Sequence, residues 1–169
     1  MEVREAIFKR RSVREFEDKP VSDDIIKALL EDAMAAPSAC NKKPWEFYVV
    51  KNKEKQELIK KGIKYSSFNS DVLIIVAGNT NNSLTKDDND FWIQDCSAAI
   101  ENILVSAVSF GLGTCWCGLN PVKNRMERVK EILELEEHII PLGVIHIGYP
   151  KKEVEGRTQY EECKVHYVE

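Results

Sequence analysis

Helix and strand patterns alternate along this 169-residue chain, and such alternation predicts by default an α/β fold with a doubly wound sheet. The clearest strand is Val72–Ala77, an almost continuous apolar run that is typical of a buried central strand. The clearest helix spans about Phe91–Phe110, where a broad apolar stripe indicates burial on more than one side. With 43% hydrophobic and 31% charged residues, the composition is that of a soluble globular protein, most simply one domain over residues 1–169.

The first part of the chain contains the start and stop signals of two helices. Ser22 is a good N-cap, and Asp23 and Asp24 follow in the first turn, where the helix dipole favours acids. Apolar residues then recur at helical spacing until Pro37. The elements predicted up to residue 64 are a helix over 2–10, the helix from Ser22 to before Pro37, a loop over 37–44, a strand over 45–50 and a charged helix over 53–64.

The second part is predicted to continue in the same alternation. Residues 79–90 are polar and indicate a surface excursion, and Gly111 supplies the stop of the long helix. Asn120 and Pro121 indicate the cap and first turn of a further helix. The elements predicted after Gly111 are a short strand over 114–118, a helix over 120–135, a strand over 141–149 and one edge strand over 164–168 in an otherwise polar tail.

The charge balance and the N-terminal residues restrict the partners. The chain has 24 Lys+Arg against 28 Asp+Glu, a formal charge of −4, which argues against nucleic acid as the main partner. It begins with an alternately charged segment, and no apolar run approaches the ~20 residues of a membrane span. We therefore expect a cytoplasmic protein without a membrane or nucleic-acid partner.

Cysteine and histidine usage does not indicate a metal site. An odd number of cysteines without a signal sequence is typical of reduced thiols, and the three histidines are scattered. Cys40, beside Asn41 in the polar loop, is the most plausible reactive thiol, although an incidental surface cysteine is the favoured interpretation. The five cysteines are Cys40, Cys96, Cys115, Cys117 and Cys163.

Common nucleotide-binding and hydrolase motifs do not fit. The Gly111–Trp116 segment lacks the third glycine of a dinucleotide fingerprint and follows a helix instead of a strand. The chain contains neither a P-loop nor a G-x-S-x-G elbow. What remains is a distributed pattern: the basic cluster 10–14, the loop 37–45, the segment 111–118 and Arg157. Together these features suit a long, planar, phosphorylated ligand, because arginines hold phosphate and glycines allow a ring to approach peptide N–H groups.

Four segments together resemble the nitroreductase family of FMN-dependent oxidoreductases, in its short single-domain form. The resemblance covers nearly the whole chain. It implies an α+β fold, a mostly antiparallel sheet wrapped by helices, in place of the doubly wound default. It also implies a homodimer with two FMN sites in the interface and a tail, residues 150–169, that packs on the partner subunit. The segments are Arg10-Arg11-Ser12-Val13-Arg14, Pro37–Trp45, Gly111–Trp116 and Gly148-Tyr149-Pro150.

The resemblance also implies the residues that contact the flavin. Arg10 and Ser12 correspond to contacts with phosphate and ribityl groups, and Arg14 to a contact with the N1/O2 edge of the ring. Arg157 corresponds to a basic residue of the tail that contacts the phosphate. The backbone of residues 116–118 corresponds to the segment beside the reactive N5. The implied cofactor-binding residues are Arg10, Arg11, Ser12 and Arg14 from one subunit, Pro37, Ser38 and Asn41 from the other, and Trp116, Cys117, Gly118 and Arg157.

This chain departs from the family pattern at a few positions. Cys40 stands where Gly, Ser or Thr is usual, and Lys43 where Gln is usual. Gln159 replaces a second basic residue of the tail, for which Lys151 or Lys152 could compensate. Lys61 and Lys64 are candidates for a further flavin contact, but the alignment of their segment is too loose to choose between them.

The activity implied by the resemblance is ping-pong hydride transfer from NADH or NADPH, through FMN, to a small electron-poor acceptor such as a nitroaromatic or a quinone. No metal is implied. Three alternatives stay open. The chain could be a flavin-binding storage or sensor protein without turnover, or an enzyme of this fold with a specialised reaction, although the excursion over 79–90 is short for that. It could also be a thiol redox protein that uses Cys115 and Cys117.

Overall fold

The computed structural model describes residues 1–64, 66–84 and 90–169. The middle of the polar excursion predicted over 79–90 lies outside the described residues. The helices are α1 (Val3–Lys9), α2 (Asp23–Met34), α3 (Lys53–Lys61), α4 (Phe91–Ser109) and α5 (Lys123–Leu133), with short 3-10 turns at Ala39–Asn41 and Glu162–Lys164. The strands are β1 (Trp45–Val50), β2 (Val72–Asn79), β3 (Gly113–Gly118) and β4 (Ile139–Gly148).

The four strands form one antiparallel sheet in the order β1-β2-β4-β3. This confirms the α+β fold that the resemblance implied, and the doubly wound default is wrong. The alternation of strands and helices was predicted well, but the periodicity of a strand does not reveal the direction of its neighbour. β2 and β4 lie in the centre of the sheet, which explains why both are almost continuously buried.

Helix α4 and helix α2 cover one face of the sheet. The apolar stripe predicted for the long helix is confirmed, since it packs with Val72, Ile74 and Val76 of β2 into one buried cluster. Its members from α4 include Cys96, Ala99, Ile100, Ile103, Leu104 and Ala107.

Helices α3 and α5 cover the opposite face with a smaller apolar cluster. Ile59, Leu73 and Ile75 are fully buried there, and Val129 of α5 packs against them. Side chains of each strand therefore alternate between the α4 face and the α3/α5 face, so neighbouring residues of β3 meet different surroundings.

Local signals that the sequence shows mark the start of α2 and the end of α4. Ser22 Oγ accepts a hydrogen bond from Ile25 N at 3.4 Å, as the N-cap prediction required. Gly111 follows α4 with φ of 69°, a left-handed conformation that glycine adopts without a steric cost. Among the described residues, no helix combines the length and the apolarity that a membrane span would need.

Two predicted helix boundaries are wrong. α5 begins at Lys123 and not at Asn120, because the Leu119 and Asn120 amides both donate to the carbonyl of Leu142 and hold that segment against β4. α3 ends at Lys61 instead of residue 64, and Gly62 is its C-cap.

β4 begins at Ile139, two residues before the predicted start, and contains Pro141 in its first part. Proline lacks the N–H that a central strand normally needs. The register between β2 and β4 passes from Gly143 to Pro141 across a bulge between Val76 and Ala77. The proline therefore lies at an irregularity of the ladder, a position where it is tolerated.

Residues 150–169 run over the surface and form no strand within this chain, so the edge strand predicted over 164–168 is not present here. The tail is attached to α1, since Arg157 N donates to the carbonyl of Phe8 at 2.9 Å. Beyond that point it is exposed, and Tyr167 and Val168 are 87% and 96% accessible. Pairing of this segment with a partner subunit remains a prediction.

Candidate functional site

The segment Arg10–Phe16 leaves α1 and follows the outer edge of β3. Ser12 forms a parallel bridge with Thr114, and Val13 N donates to Thr114 O at 2.8 Å. Val13 is buried, whereas Ser12 and Arg14, the residues before and after it, are exposed. The extended backbone therefore places alternate side chains of the basic cluster on opposite sides.

Arg10 and Arg157 are 147 positions apart in the sequence but line the same cavity of about 250 Å³. The backbone bond from Arg157 to Phe8 brings the tail to the end of α1 and so places the two guanidinium groups beside this cavity. Gln159 lines it as well, and Glu101 of α4 lies 3.7 Å from Arg10 Nε. Two arginines at one surface cavity form a place where an anion can be held.

Arg11 lies apart from that cavity. Its Nη1 donates to the carbonyl of Glu155 at 2.8 Å. It lines a separate cavity of about 200 Å³ together with Val13 and Gly113. Its visible role is to hold the tail, and the structure does not bring it together with Arg10.

The outer edge of β3 offers two backbone N–H groups. Thr114 directs its carbonyl outward to Val13, and in an antiparallel ladder alternate residues face away from the partner strand. The N–H groups of Trp116 and Gly118 consequently point to the open edge, and that of Cys117 points to β4. Of the three residues predicted beside a flavin ring, two present donors there.

Trp116 packs against a strand position that has no side chain. An ideal Cβ on Gly143 would be 2.1 Å from Trp116 Nε1, so the indole occupies the space above that glycine. Trp116 is still 37% exposed, whereas Trp45 and Trp92 are buried in the core. The indole therefore forms a partly open wall at the edge of β3.

The loop over residues 37–44 is held in a strained shape. Ser38 Oγ accepts from Lys43 N at 3.0 Å and closes the loop. Cys40, Asn41 and Lys43 have φ of 49°, 54° and 52°, a region that costs a non-glycine residue about 1–2 kcal/mol. Such a conformation persists only if the surroundings hold it.

Asp95 of α4 supplies that support and was not anticipated from the sequence. Its Oδ1 accepts from Ala39 N at 2.9 Å, and the residue is only 5% exposed. Its Oδ2 is buried and has no hydrogen-bond partner. The signal that could have revealed it is an acid among apolar neighbours on the buried side of a helix, since Trp92 and Cys96 are buried beside it.

Asn69 is a second residue that sequence reasoning did not single out. Its side chain accepts from Phe16 N at 3.0 Å and donates to Phe16 O at 2.7 Å. The Asn69 amide thus bonds both backbone groups of Phe16, as a neighbouring strand would, and fixes the end of the Arg10–Phe16 segment. Lys61 and Lys64, the candidates named for the same part of the chain, are both exposed.

The two predicted halves of the site do not meet within one chain. The Pro37–Pro44 loop leads into β1, while Arg10–Phe16 follows β3, and these strands are the opposite edges of the sheet. Three strand spacings separate the edges, about 14 Å. Ser38 and Asn41 therefore lie far from Arg10 and Ser12 in the same subunit.

Comparisons with known proteins agree with this architecture. The sequence profile of the nitroreductase family matches residues 7–66 and 56–149. A protein of Methanothermobacter thermautotrophicus, provisionally named NADH dehydrogenase/NAD(P)H nitroreductase, is 38% identical over 98% of this chain and 86% of its own length.

Two solved structures are similar over almost their full lengths. A Parabacteroides distasonis protein with the same provisional name has a TM-score of 0.92 and 35% identity, over 98% of this chain and 96% of that chain. An FMN-dependent nitroreductase of Clostridium difficile has a TM-score of 0.86 and 27% identity, over 97% and 98% of the two chains.

Proposed function

This chain belongs to the nitroreductase family, and we propose that it is an FMN-dependent oxidoreductase that uses NADH or NADPH to reduce electron-poor acceptors. Nitroaromatics and quinones are the proposed acceptor classes. The observation that supports this most directly is the shared cavity of Arg10 and Arg157, because it joins two predicted phosphate contacts from opposite ends of the chain. The similarity to the FMN-dependent nitroreductase of Clostridium difficile supports FMN as the cofactor.

The donor set of the site fits FMN. A phosphate monoester is close to a dianion at neutral pH, and two guanidinium groups can hold it with charge-assisted hydrogen bonds. Arg10 and Arg157 are placed for this, with the exposed Ser12 hydroxyl as a further donor. Arg11 is proposed as an indirect contributor, since its bond to Glu155 holds the tail that contains Arg157.

The edge of β3 would hold the ring. When bound, FMN supplies the acceptance and donation of hydride equivalents. The outward N–H groups of Trp116 and Gly118 can donate to a ring edge, and the Trp116 indole shields one side from water. Arg14 is exposed on the same segment and would stabilise negative charge near the ring, an effect that is strong where donors are already in place.

We further propose that the site is completed in a homodimer. Pro37, Ser38 and Asn41 lie in the loop that leads into β1, and β1 is about 14 Å from β3 within one chain. A second copy must therefore supply this loop if it is to contact the same flavin. The exposed tail, residues 150–169, would pack on that copy. The whole chain is proposed to be one domain and to act in the cytoplasm on small molecules.

Reconstitution tests the proposal. The purified protein is titrated with FMN, and the yellow complex is then mixed anaerobically with NADH or NADPH. We expect the yellow colour to be lost with at least one donor and restored by a nitroaromatic or a quinone. A protein that stays colourless, or a complex that neither donor bleaches, would refute the proposal. Bleaching without reoxidation by either acceptor class would favour the sensor or storage alternative.

Arg10→Ala tests the role of the cavity. Loss of one charge-assisted contact, about 1.5–3 kcal/mol, should weaken FMN binding by about tenfold to a hundredfold. Arg4→Ala is the matched control, because Arg4 lies on α1 over the Phe8 ring and does not line the cavity. Sedimentation should show the same dimer for both variants. If the Arg10 variant dissociates while its FMN affinity is unchanged, the assignment is wrong.

A further inference from the structure

The segment 66–70, between α3 and β2, is fastened to the sheet by one imidazole. His146 lies on β4 and is fully buried. Ser66 Oγ is 2.7 Å from His146 Nε2, and Ser70 Oγ is 2.8 Å from His146 Nδ1. The Phe68 ring meets the imidazole edge to face, with 4.8 Å between the ring centroids. Alternate residues of the segment therefore contact the same side chain of the sheet.

A neutral imidazole satisfies both serine contacts. One ring nitrogen donates and the other accepts, and a hydroxyl can do either, so each tautomer of His146 pairs with both serines. Ser66 and Ser70 are buried, so bulk water cannot replace these bonds. An apolar side chain at position 146 would leave two buried hydroxyls without partners, and such groups are costly. The imidazole therefore determines where the segment 66–70 lies.

Asn69 belongs to the same segment but bonds a different part of the chain. Its Oδ1 accepts from Phe16 N at 3.0 Å, and its Nδ2 donates to Phe16 O at 2.7 Å. Asn69 is itself exposed, whereas the next residue, Ser70, is buried against His146. The position of the Asn69 amide therefore depends on the anchoring of its neighbours.

Phe16 lies between this amide and the end of the sheet. Glu17 N donates to Tyr149 O at 2.8 Å, on the side of β4. Backbone groups of successive residues in an extended segment point to opposite sides, so those of Phe16 are turned away from β4 and toward Asn69. The Asn69 amide is thus the partner of Phe16 on the outer side.

Arg14 lies between two fixed points of the Arg10–Phe16 segment. Before it, Val13 N donates to Thr114 O at 2.8 Å, and after it Phe16 is held by the Asn69 amide. The Arg14 side chain is exposed, and its Nη1 is 3.4 Å from the carbonyl of Ser12, which is long for a hydrogen bond. The direction of this guanidinium therefore depends on the backbone that carries it.

We propose that His146 is a positioning residue of the flavin site and acts through Asn69 on Arg14. The inference rests on the proposed function, in which the Arg14 guanidinium stabilises negative charge near the ring. Arg10 precedes the anchor at Val13 and should depend less on this route. Replacing His146 should therefore change the electronic properties of the bound ring more than the affinity for the phosphate.

Hydrogen exchange in the flavin-free protein tests the link from His146 to Phe16. His146→Phe keeps an aromatic ring and removes both serine bonds. The Phe16 amide should then exchange about tenfold faster or more relative to the Val13 amide, because it loses the partner that Asn69 provides. Equal acceleration of both amides would overturn the inference.

Two further variants complete the exchange experiment. Val129→Ala is the matched control, because Val129 packs in the apolar cluster of the α3/α5 face but does not bond the segment 66–70. There the Phe16 and Val13 amides should accelerate by the same factor. Ser70→Ala removes only one bond to His146 and should act like His146→Phe by a smaller factor. It keeps the test decisive if His146→Phe does not fold.

Redox titration of the FMN-loaded protein tests the link to the ring. His146→Phe should shift the midpoint potential of bound FMN to a more negative value, because a well-placed guanidinium stabilises the added negative charge of the reduced ring. The Kd for FMN should rise by less than about threefold. Arg14→Ala should give the largest shift in potential. An unchanged potential in His146→Phe would overturn the inference.

A double variant tests the route itself. Asn69→Ala should shift the potential as His146→Phe does, and the two changes together should add no further shift, because both act through one hydrogen-bond network. Additive shifts would show that His146 does not act through Asn69. An unchanged protein that binds no FMN would instead refute the proposed function, whereas bound FMN with the same potential in every His146 and Asn69 variant refutes this inference alone.

Discussion

Replacing Gly143 with alanine is expected to displace the Trp116 indole and destabilise the sheet edge. The new Cβ would lie 2.1 Å from Trp116 Nε1 and 2.8 Å from Cδ1, where an ordinary contact begins at 3.4 Å. The rigid ring must therefore move by about 1.3 Å or more, the difference between 3.4 and 2.1 Å. Overpacking of this kind costs about 1–3 kcal/mol, which corresponds to a decrease in Tm of roughly 2–12 °C for a chain of this length.

NMR spectroscopy can detect the displacement at the Trp116 indole nitrogen itself. In an NMR spectrum of tryptophan-labelled protein, the indole N–H signal of Trp116 should shift, while those of the buried Trp45 and Trp92 should stay in place. Gly118→Ala is the matched control for stability, because Gly118 pairs with Gly143 across the sheet and its added Cβ would meet nothing closer than 3.8 Å. An unchanged Trp116 signal and an unchanged Tm in Gly143→Ala would refute this account of the sheet edge.

Three further substitutions test how the site is supported. Asp95→Ala should weaken the anchoring of Ala39 by about 1.5–3 kcal/mol, so that the Ala39 amide exchanges its hydrogen about tenfold faster or more. Asp95→Asn keeps an acceptor oxygen and should retain most of the protection of that amide against exchange. Asn69→Ala removes two hydrogen bonds to the Phe16 backbone and should lower the free energy of unfolding by about 1–3 kcal/mol in urea titrations; an equal loss in Asn69→Asp would show that the accepted bond contributes nothing. Ile100→Ala should cost about 2–5 kcal/mol and Ile100→Val about 0.5–1.5 kcal/mol by the same titration, and similar values for both would contradict the tight packing of α4.

Most secondary structure was predictable because its signals are local. The N-cap at Ser22, the glycine stop at Gly111 and the apolar stripe of α4 lie within a few residues of the feature that they determine. The start predicted at Asn120 for the helix that became α5 failed for the opposite reason. The local start signal is present, but the amides of Leu119 and Asn120 donate to the carbonyl of Leu142, more than twenty positions away, and hold these residues outside the helix.

The candidate site was predictable only in part. Residue types in the Arg10–Arg14 cluster and the Pro37–Pro44 loop indicated an anionic, planar ligand, and the family resemblance supplied their proposed roles. The separation of Arg11 from Arg10 was not visible in the sequence, because it depends on which side of an extended segment each side chain takes. The supports Asp95 and Asn69 were missed since their partners are more than fifty positions distant.

The sequence by itself determined the order and approximate bounds of the helices and strands, the depth of burial of β2, and the residue types available to a flavin. Hydrophobic periodicity and capping act over one or two turns, and a sequence displays such short-range effects directly. Only the tertiary structure decided that the sheet is antiparallel, that Arg10 and Arg157 share a cavity, and that Cys115 lies opposite His146. Those features depend on strand pairing and on the packing of distant segments, which arise from the free energy of the whole chain and not from any one stretch of it.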